Sequence, residues 1–352
     1  MDGLLKFDDV SWTVIHRKAE RIDDYLARWQ DRSDLTPGHL MELRQLATVQ
    51  SVGSSTRIEG VQLQDDEIAD LIQNLAMQKL DSRDEQEVAG YFNTLQIILD
   101  GYEEIPLSIN MIKGLHKQLM QFSQKDRHHR GEYKTLSNRV VAKHNGQEKV
   151  IFQTTEPMYV ADAMVKAIDW YNNHINEGNI HPLTVIGTFI YEFLTIHPFQ
   201  DGNGRLSRLL TTMLLLKNGY EFVQYASLEQ EIERYKPKYY EALMLAQRFR
   251  GRQEETIQHW LIFLHKAIER VTAKLDGDQE RILYEPQALY LNRRQQSVLR
   301  YFERKGELSV GDIHRLIPEL SRNTLKYDLN KLTKAGILVR KGKGRGTVYD
   351  RS

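Results

Sequence analysis

The sequence predicts a mainly α-helical protein with a β-hairpin in its body and a small basic helical module towards its C-terminal end. Three observations predict it. Long stretches place apolar residues at i, i+3, i+4 and i+7, the period of a half-buried helix. Two short β-branched runs are interrupted by turn residues, the mark of a hairpin. Charge is also unevenly divided. The 352 residues carry 48 Lys and Arg against 48 Asp and Glu, yet residues 285–352 hold 15 basic residues against 7 acidic ones. A basic module on a mildly acidic body follows. With 41% hydrophobic and 27% charged residues the chain is globular, and its length suits two or three domains.

The absence of cysteine excludes disulfides and thiolate metal sites and fits a reducing interior. No apolar run reaches the roughly 18 residues of a membrane span. The start "MDGLLKFDDVSWTVIHRKAE" lacks the basic and apolar segments of a secretory signal. The expectation is a cytoplasmic protein with no membrane partner.

In chain order, "GHLMELRQLATVQSVGSSTRIEG" reads as a helix stopped by Gly60. The stretches "DEIADLIQNLAMQKL", "EVAGYFNTLQIILDGYEEI", "SINMIKGLHKQLMQF", "YVADAMVKAIDWYNNHI" and "TIQHWLIFLHKAIERVTAKL" are amphipathic helices. Pro106 with Ser108, and Pro157, mark helix starts. Between Asn138 and Pro157, β-branched runs flank an Asn145-Gly146 turn, a hairpin signal. "PLTVIGTFIYEFLTI" is an apolar helix ended by Pro198, and "RLSRLLTTMLLLKNG" is another, closing at Lys217, Asn218 and Gly219. Polar "KLDGDQERILYEP", with Gly277, reads as a linker. Three short helices and a basic hairpin, "GILVRKGKGRGTVYDR", come after it. The expected division is an N-terminal helical region (1–103), a core (104–275), a linker (276–287) and the basic module (288–352).

The chemistry concentrates in "TIHPFQDGNGRLSR", Thr195 to Arg208. Asp201-Gly202-Asn203-Gly204 is a dense turn signal leading straight into a helix N-terminus. Free backbone N–H groups and the positive end of the helix dipole favour an anion there. Arg205 and Arg208 lie three apart on the first turn, where cations are unfavourable unless a polyphosphate offsets them. Asp201 is the lone carboxylate that Mg²⁺ prefers beside phosphate oxygens. His197, at the end of the apolar helix, could take a proton from an attacking hydroxyl. The chain has no G-x-x-x-x-G-K-[ST], no G-x-G-x-x-G after a strand and no H-E-x-x-H.

"HPFQDGNGRLSR", His197 to Arg208, resembles the signature of the Fic family, H-x-F-x-[DE]-G-N-G-R-x-x-R, at every defined position. The resemblance implies a Fic-type helical core with a β-hairpin flap, and a protein adenylyltransferase moving AMP from ATP to a Ser, Thr or Tyr hydroxyl of a target protein. It implies His197 as general base and Asp201 as Mg²⁺ ligand. Nucleotide contacts would run through Gly202, Asn203, Gly204, Arg205, Leu206, Ser207 and Arg208, with the two arginines at the β/γ end and Phe199 as core anchor. The hairpin would dock the target's main chain through Val140, Val141, Val150, Ile151 and Phe152. "GEYK", Gly131 to Lys134, resembles the G-x-Y-R often found before this flap, with Lys in place of Arg. Tyr240 is the expected adenine contact and Tyr239 a core residue.

"SSTRIEG", with Ser55, Glu59 and Gly60, matches the family's inhibitory motif [ST]-x-x-x-E-[GN] and precedes the core. The resemblance implies that Glu59 pairs with Arg208 and withholds it from the γ-phosphate. The same glutamate would serve a deadenylylase that removes AMP, so the direction of the reaction stays open. The C-terminal module resembles a winged helix, with Ser321 as N-cap, Arg322 to Lys334 as recognition helix and Gly336 as stop. Arg322, Asn323, Lys326, Tyr327 and Asn330 would be its exposed face. DNA or protein could be its partner, and a DNA-binding regulator with an ATP-sensing site is the reading from a different class. The target could be the chain itself, and a homodimer is compatible with the sequence.

Overall fold

The computed structural model describes every residue except 32–34, 76–78, 126, 145–146, 285–292, 319, 335–337, 343–345 and 352. It describes the backbone alone at 141–144, 147–151, 278–284, 293, 296, 303–305, 331 and 334. The chain divides into two compact units, Met1–Leu275 and Asp276–Ser352.

The first unit contains helices α1 (Asp9–Gln30), α2 (Pro37–Glu59), α3 (Asp65–Asn74), α4 (Arg83–Gly101) and α5 (Ile109–Leu119). An antiparallel hairpin follows, β1 (Arg139–His144) with β2 (Gln147–Gln153). The unit continues through α6 (Pro157–Glu177), α7 (Pro182–Ile196), α8 (Asn203–Lys217), α9 (Leu228–Arg234), α10 (Lys236–Gln247) and α11 (Gln258–Tyr284). Among the described residues only the hairpin breaks its helical character. The register pairs Val140 with Phe152 and Val141 with Val150, with an irregularity between Val140 and Val141. The expected turn at Asn145-Gly146 lies outside the described residues. Helix α11 continues past Gly277 to Tyr284, through residues whose polar composition reads as linker.

Local chemistry accounts for the helix ends. Ser108 Oγ accepts the Met111 N–H at 3.2 Å, capping α5, and Pro157 stands in the first turn of α6, where its missing N–H costs nothing. Helix α7 is apolar on every side, and all its residues from Leu183 to Ile196 are buried. Helix α8 packs beside it, and Leu206, Leu209, Leu210, Met213 and Leu214 are wholly buried. Each such side chain contributes about 1.5–3 kcal/mol on burial. The loop joining these two helices therefore rests on a buried helix pair.

The second unit comprises the end of α11, α12 (Arg293–Lys305), α13 (Val310–Leu316), α14 (Arg322–Lys334) and the antiparallel strands β3 (Leu338–Lys341) and β4 (Val348–Arg351). Val298, Phe302, Ile313, Leu325, Leu329 and Leu338 form its core. Asp328, fully buried on α14, is held by Arg294 at 2.6 and 3.1 Å and by Gln295 at 3.2 Å. Ser321 Oγ accepts the Thr324 N–H at 3.1 Å and starts α14. Gly336 lies outside the described residues. No helix among the described residues is long and apolar enough to cross a membrane.

Candidate functional site

Helix α7 ends at His197, whose backbone turns into the left-handed region at φ 51° and ψ 61°. Among the described residues it is the one non-glycine with positive φ. Such a conformation costs on the order of 1 kcal/mol and persists where surrounding bonds impose it. The His197 N–H donates to Phe193 O at 2.9 Å, and Nδ1 lies 3.2 Å from Leu194 O. A carbonyl cannot donate, so Nδ1 carries the proton and Nε2 presents a lone pair. Burial pushes the imidazole down to about 4, and the nearby Lys134 charge adds to this, against the opposing Leu194 carbonyl. At neutral pH the ring is a neutral acceptor.

The loop 198–202 is closed by the first side chain of α8. Asn203 Oδ1 accepts the Phe199 N–H at 2.9 Å while its Nδ2 donates to Phe199 O at 2.7 Å. Phe199 is wholly buried and stacks on His116 at 3.8 Å. His116 accepts the Gly131 N–H at Nδ1 (2.9 Å), and its Nε2 lies 3.0 Å from Asp201 O. Gly202 then reverses the chain at φ 80° and starts α8. A Cβ there would meet Met120 Sδ at 3.1 Å, so both conformation and space call for glycine.

Asp201 Oδ1 accepts the Gly202 N–H at 2.6 Å and faces Arg205 Nη2 at 3.3 Å. Burial works to raise its carboxyl, but the Arg205 charge and the Gly202 N–H outweigh this and hold it below its ordinary value. Its Oδ2 stands 3.8 Å from Arg83 Nη2, beyond hydrogen-bond distance, and the side chain is 37% exposed. No group of three or more His, Cys, Asp or Glu among the described residues could hold a metal. One ionised, accessible carboxylate beside an anion cradle fits Mg²⁺, which takes its remaining ligands from phosphates and water.

The two arginines of α8 divide. Arg205 is 2% exposed, with Nη1 on Glu87 Oε2 at 3.0 Å. The resemblance places it at the β/γ end of a nucleotide, whereas here its fork is bonded to Glu87 and Asp201. Arg208, 3% exposed, donates from Nε to Ser55 Oγ at 2.8 Å and from Nη2 to Ser55 O at 2.9 Å and Glu59 Oε1 at 2.7 Å. Burial alone would lower its pKa, but the Glu59 charge raises it. Burial likewise tends to raise Glu59, and the Arg208 guanidinium overcomes it and holds the carboxyl low. Gly204 makes this approach possible, because a Cβ there would lie 2.3 Å from Glu59 Oε1.

The end of α2 is anchored apart from the Arg208 contact. Arg57 donates to Glu233 at 2.8 and 3.0 Å and to Asp65 at 2.8 Å, while Lys236 Nζ caps Ile58 O at 2.6 Å. Gly60, at φ 113°, then ends the helix.

These groups line one cavity of about 300 Å³. His197, Asp201 and the run Gly202–Arg205 occupy one side, Tyr239, Tyr240 and Leu243 of α10 another, and Arg139, Val140 and Phe152 of the hairpin a third. Arg208 and Glu59 complete the lining. The structure thus brings together His197, Asp201, the glycines, Arg208, Glu59 and Tyr240, with Ser55 behind Arg208. At two of the expected nucleotide contacts the side chain is turned away from the cavity: Leu206 is wholly buried in the core, and buried Ser207 donates from Oγ to Gly204 O at 2.8 Å. Tyr239 is buried, as a core residue would be. At Val141, Val150 and Ile151 only the backbone is described.

The fold and site define a helical domain with a glycine turn at a helix N-terminus, a neutral imidazole beside it and the Glu59 carboxylate paired with the Arg208 guanidinium. Residues 106–215 match the family described as Fic/DOC, and residues 291–341 match a helix-turn-helix domain. A Fido domain-containing protein of Dictyostelium discoideum is 29% identical over 33% of this chain and 76% of its own length. The protein adenylyltransferase Fic of Drosophila willistoni is 37% identical over 26% of this chain, a match spanning only 17% of that protein. A Fic family protein from Desulfovibrio desulfuricans G20 superposes with a TM-score of 0.64 at 22% identity, covering 99% of this chain and 98% of that one. These likenesses support the Fic/Fido domain family and give the fold as a Fic-type helical core with a C-terminal helix-turn-helix unit. Helix α2, with Ser55 and Glu59, lies outside the matched segment.

Proposed function

We propose that this protein is an Mg²⁺-dependent protein adenylyltransferase that moves AMP from ATP to a Ser, Thr or Tyr hydroxyl of a target protein, itself included, and is held down by Glu59. The observation that carries this reading is His197 with a free Nε2 beside the Gly202–Gly204 cradle, in the same cavity as Arg208. In the step, His197 Nε2 takes the hydroxyl proton while the hydroxyl oxygen bonds to the α-phosphorus. The bond from that phosphorus to the α–β bridging oxygen breaks, and diphosphate leaves with the electron pair. Backbone N–H groups at the start of α8 stabilise the phosphate charge. Asp201 would hold Mg²⁺ beside the phosphates, and the ion would supply charge to offset the diphosphate. Tyr240 and Leu243 give the adenine ring an apolar wall, and the hairpin aligns the target's main chain. Glu59 occupies the guanidinium that the γ-phosphate needs.

The test uses ATP labelled on the α-phosphate with the wild type, Glu59→Gly and the double variant Glu59→Gly/His197→Ala. Strong labelling of protein by Glu59→Gly, weak labelling by the wild type and none by the double variant is expected. Absence of label in all three would overturn the reading. Loss of AMP from a labelled target that requires Glu59 would instead support the deadenylylase.

For the second unit we propose a DNA duplex as partner. Arg322, Asn323, Lys326, Tyr327 and Asn330 form one exposed face of α14 in a segment with an excess of basic residues. Lys326→Glu should weaken duplex binding and flatten its salt dependence in fluorescence anisotropy, and an unchanged salt slope would refute it.

A further inference from the structure

Lys134 plays no part in the chemistry above, yet its side chain is only 3% exposed. Its Nζ donates to Asn138 Oδ1 at 2.8 Å, Thr154 Oγ1 at 2.7 Å and Ile196 O at 3.1 Å. Three acceptors use all three protons of an ammonium. All three are neutral. The Ile196 carbonyl belongs to the peptide entering His197, at the negative end of α7, where a cation is favoured. The same knot reaches along the loop. The Lys134 N–H donates to Pro198 O at 2.8 Å, Asn138 Nδ2 to Phe199 O at 3.1 Å, and the Thr155 N–H to Thr195 O at 3.3 Å. Residues 195–199 are thereby bonded to both ends of the hairpin's root, where Arg139 pairs with Gln153.

We propose that Lys134 is a positioning residue of this site: it fixes the left-handed turn that aims His197 and ties the target-aligning hairpin to the same loop. The proposal rests on the transferase reading. Its consequence is a pH limit. The titratable groups facing Lys134 are Glu156, before α6, and His197, at the end of α7. Burial pulls the ammonium down to about 8, with the Glu156 charge opposing. Above that pH the amine has two protons for three acceptors, and the grip on Ile196 O loosens. An arginine, as in G-x-Y-R, would not titrate there. Linkage sets activity and stability apart. Between the folded pKa and the ordinary lysine value the unfolded chain holds more protons, so this residue's contribution to stability rises with pH while activity falls.

The experiment compares Glu59→Gly with Glu59→Gly/Lys134→Met and Glu59→Gly/Lys134→Arg from pH 5 to 10. It records kcat, KM for ATP, thermal melting and the imidazole resonances of His197 by NMR. Lys134→Met should lower kcat by about 10²-fold and leave KM within about twofold, the signature of a misaimed group. Lys134→Arg should keep kcat at pH 7 within about tenfold and move the alkaline limb up by more than about one unit. The His197 resonances should shift in the Met variant. An unchanged kcat and unchanged resonances in the Met variant, or an alkaline limb still near 8 in the Arg variant, overturns the proposal. Should Lys134→Met not fold, the pH profile of the Arg variant decides. Should Glu59→Gly transfer nothing, the transferase reading fails, and the His197 resonances in the Lys134 variants still decide this one.

Discussion

Replacing Glu59 by Gly removes the carboxylate that stands 2.7 Å from Arg208 Nη2. Removing one member of a fully buried ion pair costs about 3–5 kcal/mol, which measures how firmly the pair resists a competitor. Arg208 is 3% exposed, but the Glu59 side chain is 32% exposed, so solvent screens part of the attraction. A discounted value of about 2–3 kcal/mol is appropriate. At tenfold per 1.4 kcal/mol, a γ-phosphate competing for the guanidinium works against a factor of about 30–150. At ATP concentrations below saturation, Glu59→Gly should therefore raise the initial rate of label transfer about 30- to 150-fold. Glu59→Gln, which keeps the shape and one hydrogen bond but not the charge, should fall between. A rise under about threefold for Glu59→Gly would refute the competition. So would a Glu59→Gln protein as silent as the wild type, since that points to obstruction rather than charge.

Gly204→Ala should destabilise the protein by about 1–3 kcal/mol, because the new methyl meets Glu59 Oε1. In a thermal-melting cycle, most of that loss should vanish in Gly204→Ala/Glu59→Gly, and simple additivity would contradict the contact. Arg57→Ala releases α2 from Glu233 and Asp65; with Glu59 intact, self-labelling should rise several-fold and the melting temperature should fall. Labelling that stays at the wild-type level counts against a latch. Burial takes the His197 imidazole down to about 4, below its ordinary value, so the neutral base persists on acidification and is lost only as pH falls through the folded pKa. The kcat of Glu59→Gly should be flat from pH 7 to about 5, and an acid limb near 6.5 would mean the ring titrates as in water.

Much of this was legible in the sequence because it is local. The apolar period marks α7 and α8, Ser108 and Pro157 mark helix starts, Gly60 marks the end of α2, and the spacing from His197 to Arg208 sets a loop against a helix N-terminus. What stayed hidden depends on residues far apart in the chain. Nothing near Arg205 announces Glu87, which α4 delivers from more than a hundred positions away. His116 carries no motif, and its role follows from the Phe199 ring stacked on it, the Gly131 N–H it accepts and the Asp201 carbonyl it faces. Asn203 was legible as a turn residue but not as the clasp of Phe199, since an amide that bonds both the N–H and C=O of one residue leaves no trace in composition. The Lys134 knot escaped for the same reason. Its acceptors come from the hairpin root and from a carbonyl, which any residue could supply.

Ser55 holds Arg208 through both its hydroxyl and its carbonyl, and neither contact involves Glu59. On the proposed reading, withdrawal of the glutamate would leave the guanidinium moored at two points, so an arriving phosphate would meet a receptor already oriented, with little side-chain disorder left to quench. The helix that silences the arginine would then also be its berth.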